Sequence, residues 1–252
     1  MAEPVLKISG VAKSYGANQV LKDINLEVGA QEIVGLLGPN GCGKSTLLNL
    51  SSGFARADAG SIIFGGHDIT AWGVERIAQA GLVRTFQLPS MPHRMTVAEV
   101  LRAADSRGVQ FKTMFAPDRS SMQEVDALLE GLSLSHVRNL PAGSLSGGQK
   151  KLLSIALALR TNPKLICLDE PTAGVHPNLR HSMVQLLRRV SERGIALLIV
   201  EHDMHFIREL CSRCVVLDRG EVIANCVPAS LTSNERVVEA YLGSARDKGA
   251  IA

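Results

Sequence analysis

Gly38-Pro39-Asn40-Gly41-Cys42-Gly43-Lys44-Ser45-Thr46 matches the phosphate-binding pattern G-x-x-x-x-G-K-[ST] at every fixed position. Upstream, the apolar run Ile33-Val34-Gly35-Leu36-Leu37 predicts a buried strand; downstream, Thr46-Leu47-Leu48-Asn49-Leu50 has the strong formers of a helix. That strand-loop-helix context separates the motif from an ordinary glycine-rich turn. The glycines let successive N–H groups point into one concavity, and the following helix adds its positive dipole end. Lys44 supplies a point charge and Ser45 a hydroxyl suited to Mg²⁺. The stretch therefore predicts a polyphosphate site, and with it nucleotide binding.

The chain has 252 residues, 46% hydrophobic and 20% charged, enough for one globular unit with a sizeable core. The net charge is only +3 with scattered basic residues, which gives no reason to expect a nucleic-acid-binding face. No run of about 18 apolar residues occurs, and Met1-Ala2-Glu3-Pro4 has no signal-sequence character, so a cytosolic chain is expected. The five cysteines, Cys42, Cys167, Cys211, Cys214 and Cys226, are dispersed and odd in number, consistent with reduced thiols. Cys211 and Cys214 form a lone C-x-x-C without the further ligands a metal site needs.

Along the chain, Ile24, Leu26 and Val28 alternate with Asn25 and Glu27, so the opening segment predicts antiparallel strands with one solvated face. Tyr15 lies in the turn between two of them, placed either to stack on a base or to cover the sheet edge. A further strand is expected across Gly60-Ser61-Ile62-Ile63-Phe64-Gly65-Gly66, and another along Leu82-Val83-Arg84-Thr85-Phe86-Gln87, ended by Leu88-Pro89. Thr96-Val97-Ala98-Glu99 fits a capping box, while Val125, Leu128, Leu129 and Leu132 share one helical face. Between them, residues 107–121 have mixed polarity and read as a surface excursion.

Leu145-Ser146-Gly147-Gly148-Gln149 opens a third helix carrying Leu152, Leu153, Ile155, Ala156 and Leu159. Its serine, paired glycines and helix dipole make a second anion-binding feature, although Ser146 would serve equally as a plain cap. Leu165-Ile166-Cys167-Leu168-Asp169-Glu170 is an apolar strand ending in two carboxylates, where a parallel strand delivers side chains to a ligand crevice. Beside a phosphate loop, Asp169 suits Mg²⁺ and Glu170 suits a general base acting on water. A last buried strand, Ile195-Ala196-Leu197-Leu198-Ile199-Val200, ends at Glu201-His202-Asp203, and Cys214 to Ala224 reads as a hairpin before a polar helical tail.

In this order the elements resemble the ATP-binding subunit of an ABC transporter over nearly the whole chain, the phosphate loop, the Leu145 to Gln149 signature and the 165–170 strand being the least ambiguous matches. The resemblance implies an α/β P-loop NTPase (RecA-like) core with an antiparallel β subdomain and an inserted α-helical subdomain. A single ABC ATPase domain over residues 1–252 would comprise a core at 1–87 and 163–252 and a helical signature subdomain at 88–162. It implies ATP and Mg²⁺ as cofactors, with Gly38, Pro39, Asn40, Gly41, Cys42, Gly43, Lys44, Ser45 and Thr46 around the phosphates and Tyr15 on adenine. By the same resemblance Ser45, Gln87 and Asp169 hold the metal, Glu170 directs water, and Lys44, Gln87 and His202 complete the catalytic group.

Ser146, Gly147, Gly148 and Gln149 would face the nucleotide of a second, head-to-tail ATPase subunit, identical or different. Two transmembrane permease subunits and, indirectly, an extracytoplasmic solute-binding protein complete the expected assembly on the cytoplasmic face of the membrane. Arg84-Thr85-Phe86-Gln87, Glu201-His202-Asp203-Met204 and Glu239-Ala240-Tyr241-Leu242-Gly243 are most similar to ATPases of branched-chain amino-acid importers and their urea or amide relatives. The alternative class is a soluble ABC ATPase that uses ATP-driven dimerisation for assembly or regulation. One departure stands out: His176 occupies an interface-loop position where the family usually has Asp.

Overall fold

The computed structural model describes residues 3–87, 90–104 and 119–247. The expected break at Leu88-Pro89 and residues 107–118 of the expected excursion lie outside the described residues. Arg119 to Ser121, also assigned to that excursion, instead begin a helix.

Two sheets organise the chain. β1 (Leu6–Tyr15) and β2 (Asn18–Val28) form an antiparallel hairpin, and β4 (Ala59–Phe64) with the two-residue β5 (His67–Asp68) extends it in the order β2-β1-β4-β5. Ile24, Leu26 and Val28 are buried while Asn25 and Glu27 face solvent, as the period-two alternation requires.

The second sheet has the order β10-β9-β3-β8-β7-β6, built from β3 (Ile33–Leu37), β6 (Leu82–Arg84), β7 (Leu165–Asp169), β8 (Ala196–Val200), β9 (Arg213–Asp218) and β10 (Glu221–Cys226). Its pairings are parallel except for the β9–β10 hairpin. Both faces are covered, which is why β3, β7 and β8 read as continuous apolar runs. Val34, Leu36, Leu165, Cys167, Ala196 and Leu198 face the antiparallel sheet and α1 (Lys44–Ser51). Ile33, Leu37, Ile166, Leu168, Leu197 and Ile199 face the helical side. Fully burying such a Leu or Ile contributes roughly 1.5–3 kcal/mol relative to exposure.

β6 is shorter than expected. Pairing with β7 runs only to Arg84, after which the Thr85 N–H still reaches the Cys167 carbonyl at 3.0 Å and the chain leaves the sheet. Phe86 is then exposed and packs edge-on against Phe54, their ring centroids 5.4 Å apart. Gln87 is thereby on a loop rather than a strand, free to reach sideways.

On the helical side, α3 (Val97–Ala103) starts with the expected capping box, Thr96 and Glu99 bonding reciprocally. α4 (Arg119–Gly131) buries Val125 and Leu129, and α5 (Gly147–Arg160) buries Leu152, Leu153, Ile155 and Ala156. α6 (Pro177–Glu192), α7 (Met204–Leu210) and α8 (Glu235–Asp247) complete the described α-helices, together with α2 (Val74–Ala80). None of the described helices is long and apolar enough to cross a membrane. Cys211 and Cys214 are buried, which pushes both thiols up, Cys214 to about 12, away from the thiolate form that binds metals.

Candidate active site

In a parallel sheet the loops that follow the strands gather at one edge, and here β3 delivers the phosphate loop, β6 delivers Gln87, β7 delivers Asp169 and Glu170, and β8 delivers Glu201 and His202. The phosphate loop is bent by positive φ at Gly38 (142°), Gly41 (82°) and Gly43 (112°). A Cβ on Gly43 would fall 2.5 Å from Leu21 Cδ2, so the loop's approach to β2 requires glycine there. Lys44 begins α1 and turns its ammonium back into the loop, donating to the Gly38 carbonyl at 2.7 Å and the Pro39 carbonyl at 2.8 Å. Cys42 is buried beside it, and burial raises its thiol pKa despite the nearby Lys44 charge. Ser45 and Asn40 are exposed and Thr46 half-buried.

Glu170 is the centre of the polar cluster. Leaving β7 it adopts φ +46°, a left-handed conformation uncommon for a side-chain-bearing residue, which redirects the chain immediately after Asp169. Its backbone is held on both sides, the N–H by the Val200 carbonyl at 2.9 Å and the carbonyl by Lys151 Nζ at 2.7 Å. Its carboxylate lies between Gln87 Nε2, 2.5 Å from Oε2, and His202 Nε2, 3.2 Å from Oε1. Three residues chosen from three separate stretches of sequence thus meet at one carboxylate. Asp169 points elsewhere, to Arg84, whose Nη2 is 2.8 Å from Oδ2.

The remaining expected residues lie apart from this cluster. Tyr15 is the exposed end of β1, with Lys13 Nζ 5.3 Å from its ring centre and that lysine paired to Asp58. Ser146 caps α5 in a capping box: its Oγ accepts from the Gln149 N–H at 3.3 Å, and Gln149 Oε1 accepts from the Ser146 N–H at 3.0 Å. Gly147 is open, with nothing within 4 Å of where a Cβ would sit. Gly148 is closed, since a Cβ there would lie 3.1 Å from the Gly174 carbonyl oxygen and 3.3 Å from Val175 Cα. The start of α5 is therefore packed onto the loop that leads to His176. That histidine is the N-cap of α6, its Nδ1 accepting from the Asn178 N–H at 3.3 Å.

The ABC transporter family profile matches residues 21–173. The chain belongs to the ABC transporter family. Over 246 residues it is 36% identical to a probable branched-chain amino acid transport ATP-binding protein, LivG, of Archaeoglobus fulgidus, covering 95% of this chain and 96% of the relative. The lipopolysaccharide export system ATP-binding protein LptB of Haemophilus influenzae is 35% identical, over 95% of this chain and 97% of the relative. In structure, the cassette is similar to the ADP conformation of an ATP-binding cassette of an ABC transporter, with a TM-score of 0.83 and 34% identity, covering 96% and 100% of the two chains. It is thus a nucleotide-binding transport ATPase with the P-loop NTPase fold expected from its sequence.

Three further residues of the cassette take part in the cluster, and sequence reasoning gave none of them a role there. Arg84 bridges Asp169 to Asn49 Oδ1 on α1, at 2.5 Å, which sets the Asp169 carboxylate against the helix that follows the phosphate loop. Lys151 joins α5 to Glu170; burial lowers its pKa, opposed by the nearby Glu201, Glu170 and Asp169 carboxylates. Glu201 is 3% exposed and accepts from four donors: the Thr172 N–H and hydroxyl at 2.7 and 2.6 Å, and the His202 and Asp203 N–H groups at 2.9 and 3.3 Å. A charged residue ending a buried strand, as Glu201 and Arg84 both are, was the available signal; their partners are set only by the sheet order.

Proposed function

We propose that the cluster around Glu170 hydrolyses ATP held at the phosphate loop and that the cassette uses this to power solute import. The observation that carries the reading is the Glu170 carboxylate held between Gln87 and His202 at the sheet edge that also bears the phosphate loop. Phosphoryl transfer needs mostly positioning and charge stabilisation. Lys44 supplies a cation that can exchange its two loop carbonyls for phosphate oxygens, and α1, which begins at Lys44, adds the N–H groups and positive dipole end of its first turn. Tyr15, exposed at the end of β1, is assigned to adenine. Glu170 accepts the proton of the attacking water, and His202, already within hydrogen-bond reach, orients that carboxylate.

The Ser45 hydroxyl, the Gln87 side-chain oxygen and the Asp169 carboxylate are hard oxygen donors of the kind Mg²⁺ takes, and Arg84 engages only one Asp169 oxygen by hydrogen bond. When bound, the ion neutralises charge on the phosphates. Purified cassette should release phosphate from ATP with Mg²⁺ present and lose that activity in EDTA; full activity in EDTA would overturn the metal assignment.

Residues 88–162 are assigned to a helical subdomain, supported by α3, α4 and α5 falling within them. The exposed Ser146 and Gly147 are assigned to the nucleotide of a second, head-to-tail ATPase subunit. Two permease subunits and an extracytoplasmic solute-binding protein complete the assembly, placing the cassette on the cytoplasmic face of the membrane. Branched-chain amino acids or similar small polar solutes are the assigned cargo, supported by the likeness to LivG. The 35% identity to LptB supports lipopolysaccharide export as the second reading. Co-purification with two multi-spanning subunits and loss of leucine uptake on deletion of the gene support the import reading; intact uptake with a defective outer membrane would replace it by the second.

At the interface loop, His176→Asp should change the hydrolysis rate severalfold without abolishing it and stabilise α6, since Asp is the stronger N-cap, by about 0.5–1 kcal/mol. Phosphate release between about pH 6 and 8 and thermal unfolding test this; a rate matching the parent at every pH removes any coupling role for His176.

A further inference from the structure

We infer that Tyr241 is a positioning residue for the phosphate loop, and that α8 sets nucleotide affinity through its hydroxyl. The Gly38 N–H comes just after β3 leaves the sheet, where the parallel ladder with β9 ends at Leu37. It donates to the Tyr241 hydroxyl at 3.0 Å, across 203 residues of sequence. The other side of the same residue is fixed too: its carbonyl accepts from Lys44, and a Cβ on Gly38 would lie 2.0 Å from the Leu217 carbonyl oxygen. Further along the loop, the Cys42 carbonyl accepts from the Gly220 N–H of the β9–β10 turn at 3.1 Å.

These ties matter because packing supports the loop poorly on that flank. A cleft of about 410 Å³ separates it from α8, lined by Asn40, Cys42, Arg219, Arg236 and Glu239 among others. When phosphate draws Lys44 away from the Gly38 carbonyl, the Tyr241 bond remains to hold the first peptide of the loop in place, and with it the direction in which the following residues leave β3. Burial raises the Tyr241 pKa, so the phenol stays a neutral hydroxyl through the working pH range.

The inference rests on the nucleotide-site reading above, and the test separates the two. Calorimetric titration of the full chain with MgATP should show Tyr241→Phe binding about fivefold more weakly, equivalent to ~1 kcal/mol, the net worth of one hydrogen bond. The aromatic ring is kept, so the melting temperature without nucleotide should move by no more than about 4 °C. In the assembled transporter, KM for ATP should rise with kcat within about twofold. Val237→Ala is the control: it trims a buried α8 side chain without touching the hydroxyl, and should lower the melting temperature while keeping ATP affinity within about twofold. Unchanged affinity in Tyr241→Phe, an effect confined to kcat, or equal weakening by Val237→Ala would each overturn the inference. Failure of the parent chain itself to bind ATP would instead overturn the nucleotide-site reading.

Discussion

Glu170→Gln should lower ATP hydrolysis by about 10²- to 10⁴-fold, the usual contribution of a positioned general base, while leaving ATP affinity nearly unchanged. The substitution keeps the volume of the side chain. It also leaves the backbone ties to Val200 and Lys151 in place, so the left-handed turn at this position persists. What disappears is the ability to take a proton. Single-turnover phosphate release measures the loss, and calorimetric titration with MgATP measures what is retained. Turnover within tenfold of the parent would remove Glu170 from its assigned role and leave His202 as the group to examine.

The second large effect is expected from Glu201→Ala, at a residue that need not touch ATP at all. Removing the carboxylate strips the acceptor from four donors, three of them backbone N–H groups, in a part of the molecule that is almost closed to solvent. Leaving such groups unsatisfied costs about 1–3 kcal/mol each before relaxation, so a net loss of about 3 kcal/mol is expected. For a chain of this length that corresponds to a fall in melting temperature of roughly 6–12 °C. Hydrolysis should drop more than about tenfold in protein that remains folded, because Glu201 joins the loop after Glu170 to the loop bearing His202. Glu201→Gln should lie between, since its amide keeps one acceptor oxygen but presents N–H groups to other N–H groups. A melting temperature within about 2 °C of the parent in Glu201→Ala would contradict the anchoring role.

β3, β7 and β8 were legible in the sequence because burial on both faces leaves uninterrupted apolar runs, β2 because one solvated face leaves alternation, and the starts of α3 and α5 because the capping box at Thr96 and the serine cap at Ser146 are local devices. The phosphate loop was legible for the same reason: its conformation is written in its own glycines. Pairings set by strand order were not. Arg84 and Asp169 are 85 positions apart and meet because β6 lies beside β7; Gly38 and Tyr241 meet because α8 returns to the end of β3. The extent of β6 was overestimated because Thr85 and Phe86 have strand-like side chains, whereas the pairing available from β7 had ended. Gly148 is a subtler case: its lack of a side chain suggested room for an anion, and the neighbour it admits is the Gly174 carbonyl.

β6 has a consequence for motion. It is a three-residue strand at the sheet's edge, hydrogen-bonded to β7, yet Arg84 within it and Gln87 just beyond it reach both acidic residues of the site. Edge segments with few ladder bonds open at a small fraction of the free energy needed to unfold a domain. Fraying of this strand would withdraw Arg84 from Asp169 and Gln87 from Glu170 together, while Glu170 keeps its ties to Val200, Lys151 and His202. Amide exchange at Val83 to Thr85 should then be faster than along β3 or β8, and its rate should report how often the Arg84 and Gln87 contacts open. The margin of the sheet is thus where these two contacts of the site should loosen first, ahead of the central strands that lead to the phosphate loop and to His202.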